Sequence, residues 1–313
     1  MLIPGFTSVS RSDVTRRDLP EIVRRKGGGK GRGGGSGSKS SGSGGSKGKG
    51  SPSKPSKPVS IPGLPSGRHS ATAYGGGGGK ITVIPSGQFF AGRHVGGGTR
   101  NQIYGNSYYG SGYPGVSHGN RGVAGLPFPF YFWPIVWGGV FLGTEAYLYE
   151  QLEYGSPSNT SRPGGPMAQA QFQSNSMGTT FHILADNSTV ASLISTINAN
   201  CSSYLSVSNS STAPIAYDAS NTTGPVPEQA IQYYRASSVA LTLDGYNNSA
   251  ALGGDPRATA SPLPVGIDTA LLTCINVTTG ESVPLVGAGM QLGAPVALIS
   301  MSIVLVQFFQ ALF

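Results

Sequence analysis

The chain has 313 residues, of which 49 are Gly and 23 Pro, with 38% hydrophobic and only 11% charged; this is too little core-forming material for the two packed domains its length allows. The formal charge of +8 averages two unlike parts: 18 of the 21 Lys and Arg but only three of the 13 acids precede residue 126, so a basic pI does not make the remaining, acidic part a nucleic-acid binder.

Residues 1–26 contain no apolar run of the length a signal peptide needs. Residues 27–58 are Gly, Ser, Lys and Pro; they cannot bury enough surface to offset backbone entropy, and 1–58 is expected to be a disordered basic arm. Residues 59–125 form a Gly/Tyr-rich low-complexity region with one short strand expected at Ile81–Ile84 and tyrosines 104, 108, 109 and 113 set among glycines. Residues 126–145 open with LPFPFYFWPIVWGG and admit two readings, a membrane span or a packed aromatic segment. The length favours the first; Pro127, Pro129, Pro134 and the Gly138–Gly139 pair favour the second. Residues 146–178 read as a linker.

Regular periodicity starts at Thr179. TTFHILAD reads as a strand, and Val190, Leu193, Ile194 and Ile197 form a helical stripe with Asp186, Asn187 or Ser188 as N-cap. PEQAIQYYRA is expected to be a second helix introduced by Pro227, and SVALTLDGY a strand. IDTALLTCINV is read as a helix capped by Asp268, with a strand as the alternative. The expected fold is a mostly disordered Gly/Ser/Lys-rich N-terminal half, a small α+β domain over 179–286 with one disulfide, and a C-terminal hydrophobic helix. The two cysteines, Cys201 and Cys274, supply that disulfide if the chain passes through an oxidising compartment.

Seven Asn-X-Ser/Thr sequons start at Asn159, Asn187, Asn200, Asn209, Asn221, Asn247 and Asn276, and none occurs before residue 159. Seven of the ten asparagines in that stretch lie in sequons, a density that points to N-glycosylation on exposed surface. Asn200 adjoins Cys201, so glycosylation and disulfide formation are expected to compete there. The last twenty residues, 294–313, carry no charge, and as a helix they would span about 30 Å, the thickness of a bilayer's hydrocarbon. Gly287, Ala288 and Gly289 form a small-residue triplet upstream, so Gly287 is the candidate site of a GPI anchor; a terminal transmembrane helix is the alternative.

Chemistry-bearing motifs are missing. His69, His94, His118 and His182 are scattered, GGGGGK at 75–80 lacks the Ser/Thr of a phosphate loop, and carboxylates such as Asp218, Glu228, Asp255 and Glu281 are dispersed. No catalytic residue, cofactor or metal is assigned. The arm's single RGG triplet, Arg32–Gly34, has no aromatic companion within 27–58, which argues against nucleic acid as partner.

Five stretches, GGGTRNQIYGNSYYGSGYPG, FPFYFWPIVWGG, EYGSPSNTSRPGGPM, FHILADNSTVASLISTINANCSS and PEQAIQYYRASSVALTLDGYNN, carry a resemblance to a group of uncharacterised Gly-rich surface proteins of mushroom-forming (basidiomycete) fungi. The resemblance implies secretion, a leader upstream of the present Met1 and hence an incomplete gene model, and a hydrophobic anchor; it implies no activity. The expected function is a non-enzymatic, glycosylated, membrane-anchored protein of the cell surface or wall, reached through the secretory pathway. Its basic arm would touch anionic wall polysaccharide or acidic glycoprotein. The alternative is a single-pass signal-anchor protein spanning at 126–145, with the arm in the cytoplasm.

Overall fold

The computed structural model describes residues 56–113 except 66, 123–137, 154–220, 224–252 and 258–288. By its internal contacts the chain divides into Met1–Ser51 and Pro52–Phe313, and every described residue belongs to the second unit. The basic arm up to residue 55, the Gly138–Gly139 pair, Asn221 and the tail 294–313 lie outside the described residues.

A five-stranded antiparallel sheet organises the unit. Its strands are β5 (Met167–Gln173), β6 (Thr180–Asp186), β7 (Ile215–Ala216), β8 (Ala230–Tyr234) and β9 (Val239–Leu243), in the order β7-β5-β6-β9-β8. Phe172 opposes Phe181, which in turn opposes Leu243, and Ile183 opposes Leu241; alternation puts these side chains on one face. Tyr234 belongs to that face, because its hydroxyl donates to Asn276 Oδ1 at 2.8 Å on a covering helix.

Two helices cover this face, α1 (Asn187–Asn200) and α2 (Thr269–Ser282), which pack against each other. The sequence explains both. Val190, Leu193, Ile194 and Ile197 form the buried stripe of α1, and Asp186 caps it by accepting from Thr189 N at 2.9 Å. Asp268 caps α2 by accepting from Leu271 N at 2.9 Å, and Ser174 Oγ donates to its other oxygen at 2.7 Å. The Cys201–Cys274 disulfide joins the C-terminal end of α1 to the middle of α2.

The opposite face carries the segments preceding β5. Tyr233 points there: Trp137 Nε1 donates to its hydroxyl at 3.1 Å, and Tyr109 meets its ring edge-on at 5.8 Å between centroids. Two small hairpins extend this layer. One pairs β1 (Lys57–Ser60) with β2 (Ser70–Ala73), and the other pairs β3 (Thr82–Val83) with β4 (His94–Val95). The segment after α2 returns to them through the bridges Thr72↔Leu285 and Gly78↔Gly287. Gly96, at φ +107°, is needed where the hairpin crosses Tyr131: a Cβ there would lie 2.6 Å from the phenolic oxygen.

Two sequence expectations change and one is resolved. The domain is larger than 179–286, since the Gly/Tyr-rich region and the 146–178 linker supply core residues such as Ile103, Tyr109, Tyr154 and Phe172, as well as the whole of β5. PEQAIQYYRA is not a helix: Pro227–Gln229 makes one 3₁₀ turn, and strand pairing with β9 takes the rest as β8. Of the two readings of 126–145, the described part, Leu126–Trp137, fits the packed aromatic segment: it holds no helix, and Phe128, Phe130, Tyr131, Phe132, Ile135, Val136 and Trp137 are buried in the core. Among the described residues no helix is long and apolar enough to cross a membrane.

Candidate functional site

The sequons fall on the helix-and-sheet half of the molecule, in different settings. Asn187 is the first residue of α1, Asn200 its last, and both are exposed, as are Asn209 and Asn247 in connecting loops. Asn159 is half-buried, and its Oδ1 accepts from Ser161 N at 2.8 Å in a tight turn. Asn276 is half-buried in mid-helix, where its Oδ1 is taken by Tyr234, and the third sequon residue, Thr278, is buried. The Thr189 hydroxyl of the Asn187 sequon is likewise committed, accepting from Arg235 Nη1 at 3.0 Å. Of the described sequons, only those at Asn200 and Asn247 have both the asparagine and the Ser exposed.

Sequence reasoning missed a buried polar centre built around Arg235. This residue is fully buried at the β8–β9 turn, and Arg235, Ala236 and Ser237 all have positive φ, 49°, 48° and 57°. Three consecutive left-handed non-Gly residues cost about 1–2 kcal/mol each. The Arg235 side chain ties the turn to its surroundings through each of its three nitrogens. Arg235 Nη2 pairs with Asp186 Oδ2 at 2.7 Å, Nη1 reaches Pro284 O at 3.0 Å, Nε reaches Ser238 Oγ at 2.7 Å, and the guanidinium lies 3.4 Å from the Phe132 ring centroid. Burial pushes Arg235 down to about 10, Asp186 opposing, so it is charged at neutral pH. Gly164 allows the pair to close, because a Cβ there would sit 1.8 Å from Asp186 Oδ1. The sequence signal was faint: one Arg in YYRASS, between two strand patterns.

A second buried cation, Arg162, ties down the aromatic segment. Its Nη1 donates to Tyr154 O at 2.9 Å and its Nη2 to Pro134 O at 2.5 Å, with the guanidinium 5.3 Å from the Trp133 ring centroid. Burial lowers it to about 10, with Asp186 opposing. Carbonyls that prolines deprive of a regular ladder are thereby satisfied.

Beside this segment opens a cleft of about 400 Å³, walled by Leu64, Pro65, Ile84, Phe89, Tyr131 and Trp133. Phe89 is 56% exposed and leans edge-on against Trp133 at 5.6 Å between centroids. The Tyr131 hydroxyl is engaged by Arg68 and donates to Lys80 O. Among the described residues no charged side chain lines the cleft, so it suits an uncharged, largely apolar group. His182 and Asp244 form a separate pair at 3.1 Å on β6 and the end of β9. Among the described residues no group of three His, Cys, Asp or Glu could hold a metal.

Gly287 is half-buried in its bridge to Gly78, one residue beyond the core residue Val286. A cut after Gly287 would leave the core residues Leu285 and Val286 in place. Comparison with family models, with curated proteins and with solved structures finds no match.

Proposed function

We propose that this chain is a non-enzymatic glycoprotein of the cell surface, of the kind found on fungal cells, delivered through the secretory pathway and held to the membrane by its carboxy-terminal segment. The observation that carries the reading is the clustering of exposed sequon asparagines, Asn187, Asn200, Asn209 and Asn247, on a domain whose two cysteines pair. Glycan addition needs such surface, and a disulfide persists in the same oxidising compartment. The anchor is either a lipid joined at Gly287 or the uncharged stretch 294–313 retained as a span. The arm, with its lysines and arginines and no acid between residues 22 and 55, would contact anionic wall polymers or acidic glycoproteins, an attraction that salt weakens.

The test is expression of the full chain behind a secretory leader in a fungal host, followed by glycosidase and phosphatidylinositol-specific phospholipase treatment of intact cells. The reading predicts a surface protein that loses mass with the glycosidase and leaves the membrane with the phospholipase, or, if the tail is retained, only with detergent. A protein of unmodified mass in the cytosolic fraction would overturn it.

A further inference from the structure

The aromatic cleft and one sequon share a wall. Ser161, the third residue of the Asn159 sequon, lines the cleft together with Pro163 and Gly63, and a Cβ on Gly63 would lie 3.0 Å from the carbonyl oxygens of Ser161 and Arg162. Asn159 is fixed beside this wall. Its backbone N donates to Ser156 O at 3.0 Å, its O accepts from Arg162 N at 3.3 Å, and its Oδ1 accepts from Ser161 N at 2.8 Å. Nδ2, the atom that takes a glycan, makes no hydrogen bond to a described residue. It stands close to the floor of the cleft. A Cβ on Gly155 would lie 3.6 Å from Asn159 Nδ2 and 2.9 Å from Trp133 Cζ3, so a single carbon there would touch both. Thr160 and Ser161 are exposed, unlike the buried Thr278 of the Asn276 sequon.

The cleft also has an uncovered ring. Trp133 is 8% exposed, with the Arg162 guanidinium 5.3 Å from its centroid and Phe90 edge-on at 4.7 Å between centroids. Phe89 is far more open, on a loop that Gly92 N closes by donating to Ile84 O at 2.9 Å. Gln88 beside it is exposed as well. The described lining therefore offers aromatic and aliphatic surface, the side chains of Gln88 and Ser161, and no charge. An N-acetylhexosamine, the sugar that joins asparagine in an N-glycan, has the matching chemistry. It is uncharged, one face of its ring and its methyl group present C–H to an aromatic ring, and its hydroxyls and amide suit Gln and Ser.

We infer that the cleft is the seat of the chain's own glycan: the inner sugars on Asn159 fold back past Ser161 and lie against Phe89 and the rim of Trp133. This rests on the reading of the chain as an N-glycosylated protein. Tethering lets so small a contact hold. On a short link the effective concentration is on the order of 1 mM, so a contact with a Kd of about 0.1 mM, too weak to gather a dilute free sugar, keeps an attached one docked about ten to one. No residue of the Asn200 or Asn247 sequons lines this cleft, so glycans there serve as references.

The full chain is expressed behind a secretory leader in a fungal host. Intact cells are treated for graded times with an endoglycosidase that cuts between the two innermost sugars, then denatured, and the glycopeptides are weighed. Only an undocked glycan is cut, so release at Asn159 is expected to be about tenfold slower than at Asn200 and Asn247. Phe89→Ala is expected to bring it within about twofold of them, with release at Asn200 unchanged. Ile81→Ala, an exposed apolar change just before β3 and outside the cleft lining, is expected to leave release at Asn159 slow. Equal release at all three sites, or slow release that Phe89→Ala does not alter, would overturn the seat. An unmodified Asn159 beside occupied Asn200 and Asn247 would also overturn it and leave the surface-glycoprotein reading standing. Unmodified asparagines throughout would remove both.

Discussion

Arg235 is where a single side chain carries most of the architecture. It joins the β8–β9 turn to the N-cap of α1 through Asp186 and Thr189, and to the segment after α2 through Pro284 O. Replacing it with Met leaves the Asp186 carboxylate buried without its cation, and breaking such a pair costs about 3–5 kcal/mol. Chemical denaturation of Arg235→Met is therefore expected to show a loss of that size; a loss below about 1 kcal/mol would show that water reaches Asp186. Asp268 works on a smaller scale. Burial tends to raise its pKa, but hydrogen bonds from Leu271 N and from Ser174 and Ser176 prevail, so it titrates below its ordinary value of 3.8. A carboxylate depressed in the folded state gives stability that is whole above the ordinary pKa and is lost as pH falls through the lowered one. Asp268→Ala is expected to cost about 1 kcal/mol near neutrality and to flatten the acid limb of the stability profile. An unchanged acid limb would mean that the cap does not report on folding.

Legibility in the sequence followed local periodicity. The strand at Thr180–Asp186, the first helix with Asp186 among three candidate caps, the second helix, preferred over a strand with Asp268 as its cap, and the strand at Val239–Leu243 were readable because each carries its own local pattern. β8 was not: Pro227 does sit in a first turn, but that turn is 3₁₀, and β9 then draws Tyr233 and Tyr234 to opposite faces of the sheet. The aromatic segment 126–137 was ambiguous for a related reason. Its prolines exclude a helical ladder, so its backbone bonds go to distant partners, Ile135 N to Ser237 O and Pro134 O to Arg162, which no local pattern reveals. The Gly/Tyr-rich region looked unstructured because its glycines serve close approach rather than flexibility, as at Gly96 against Tyr131. The pairing of the cysteines was readable and has a measurable consequence. The disulfide closes a loop with a sequence separation of 73, for which the chain-entropy estimate is about 4 kcal/mol. Cys274→Ser is expected to lower unfolding stability by about that amount and to loosen α2 from α1; an unchanged melting temperature would show that the helices hold without the bridge.

At the scale of the whole molecule, the chain carries three asymmetries along its length: a basic stretch without acids from residue 22 to 144, a later stretch that holds ten of the 13 acids and every sequon, and an uncharged stretch at 294–313. The sequence displayed each of these, but not the bridges Thr72↔Leu285 and Gly78↔Gly287, which bring positions over 200 residues apart together, nor the contact of Asn200 with Tyr74, which sets a sequon against the basic stretch. The structure also grades the sequons. Asn200 and Asn247 expose both the asparagine and the Ser, with Asn200 Nδ2 donating to the Tyr74 hydroxyl at 3.3 Å, while Asn276 uses its side-chain oxygen to hold Tyr234 and is expected to stay bare. The most direct measurement is site-resolved occupancy: protein secreted by a fungal host is deglycosylated enzymatically in heavy-oxygen water, and its peptides are weighed. Conversion to labelled Asp at Asn200 and Asn247, with a Cys201–Cys274 cross-linked peptide, is the predicted result. Unlabelled asparagines at both sites, in a protein whose two sulfurs react with alkylating reagent without prior reduction, would contradict it.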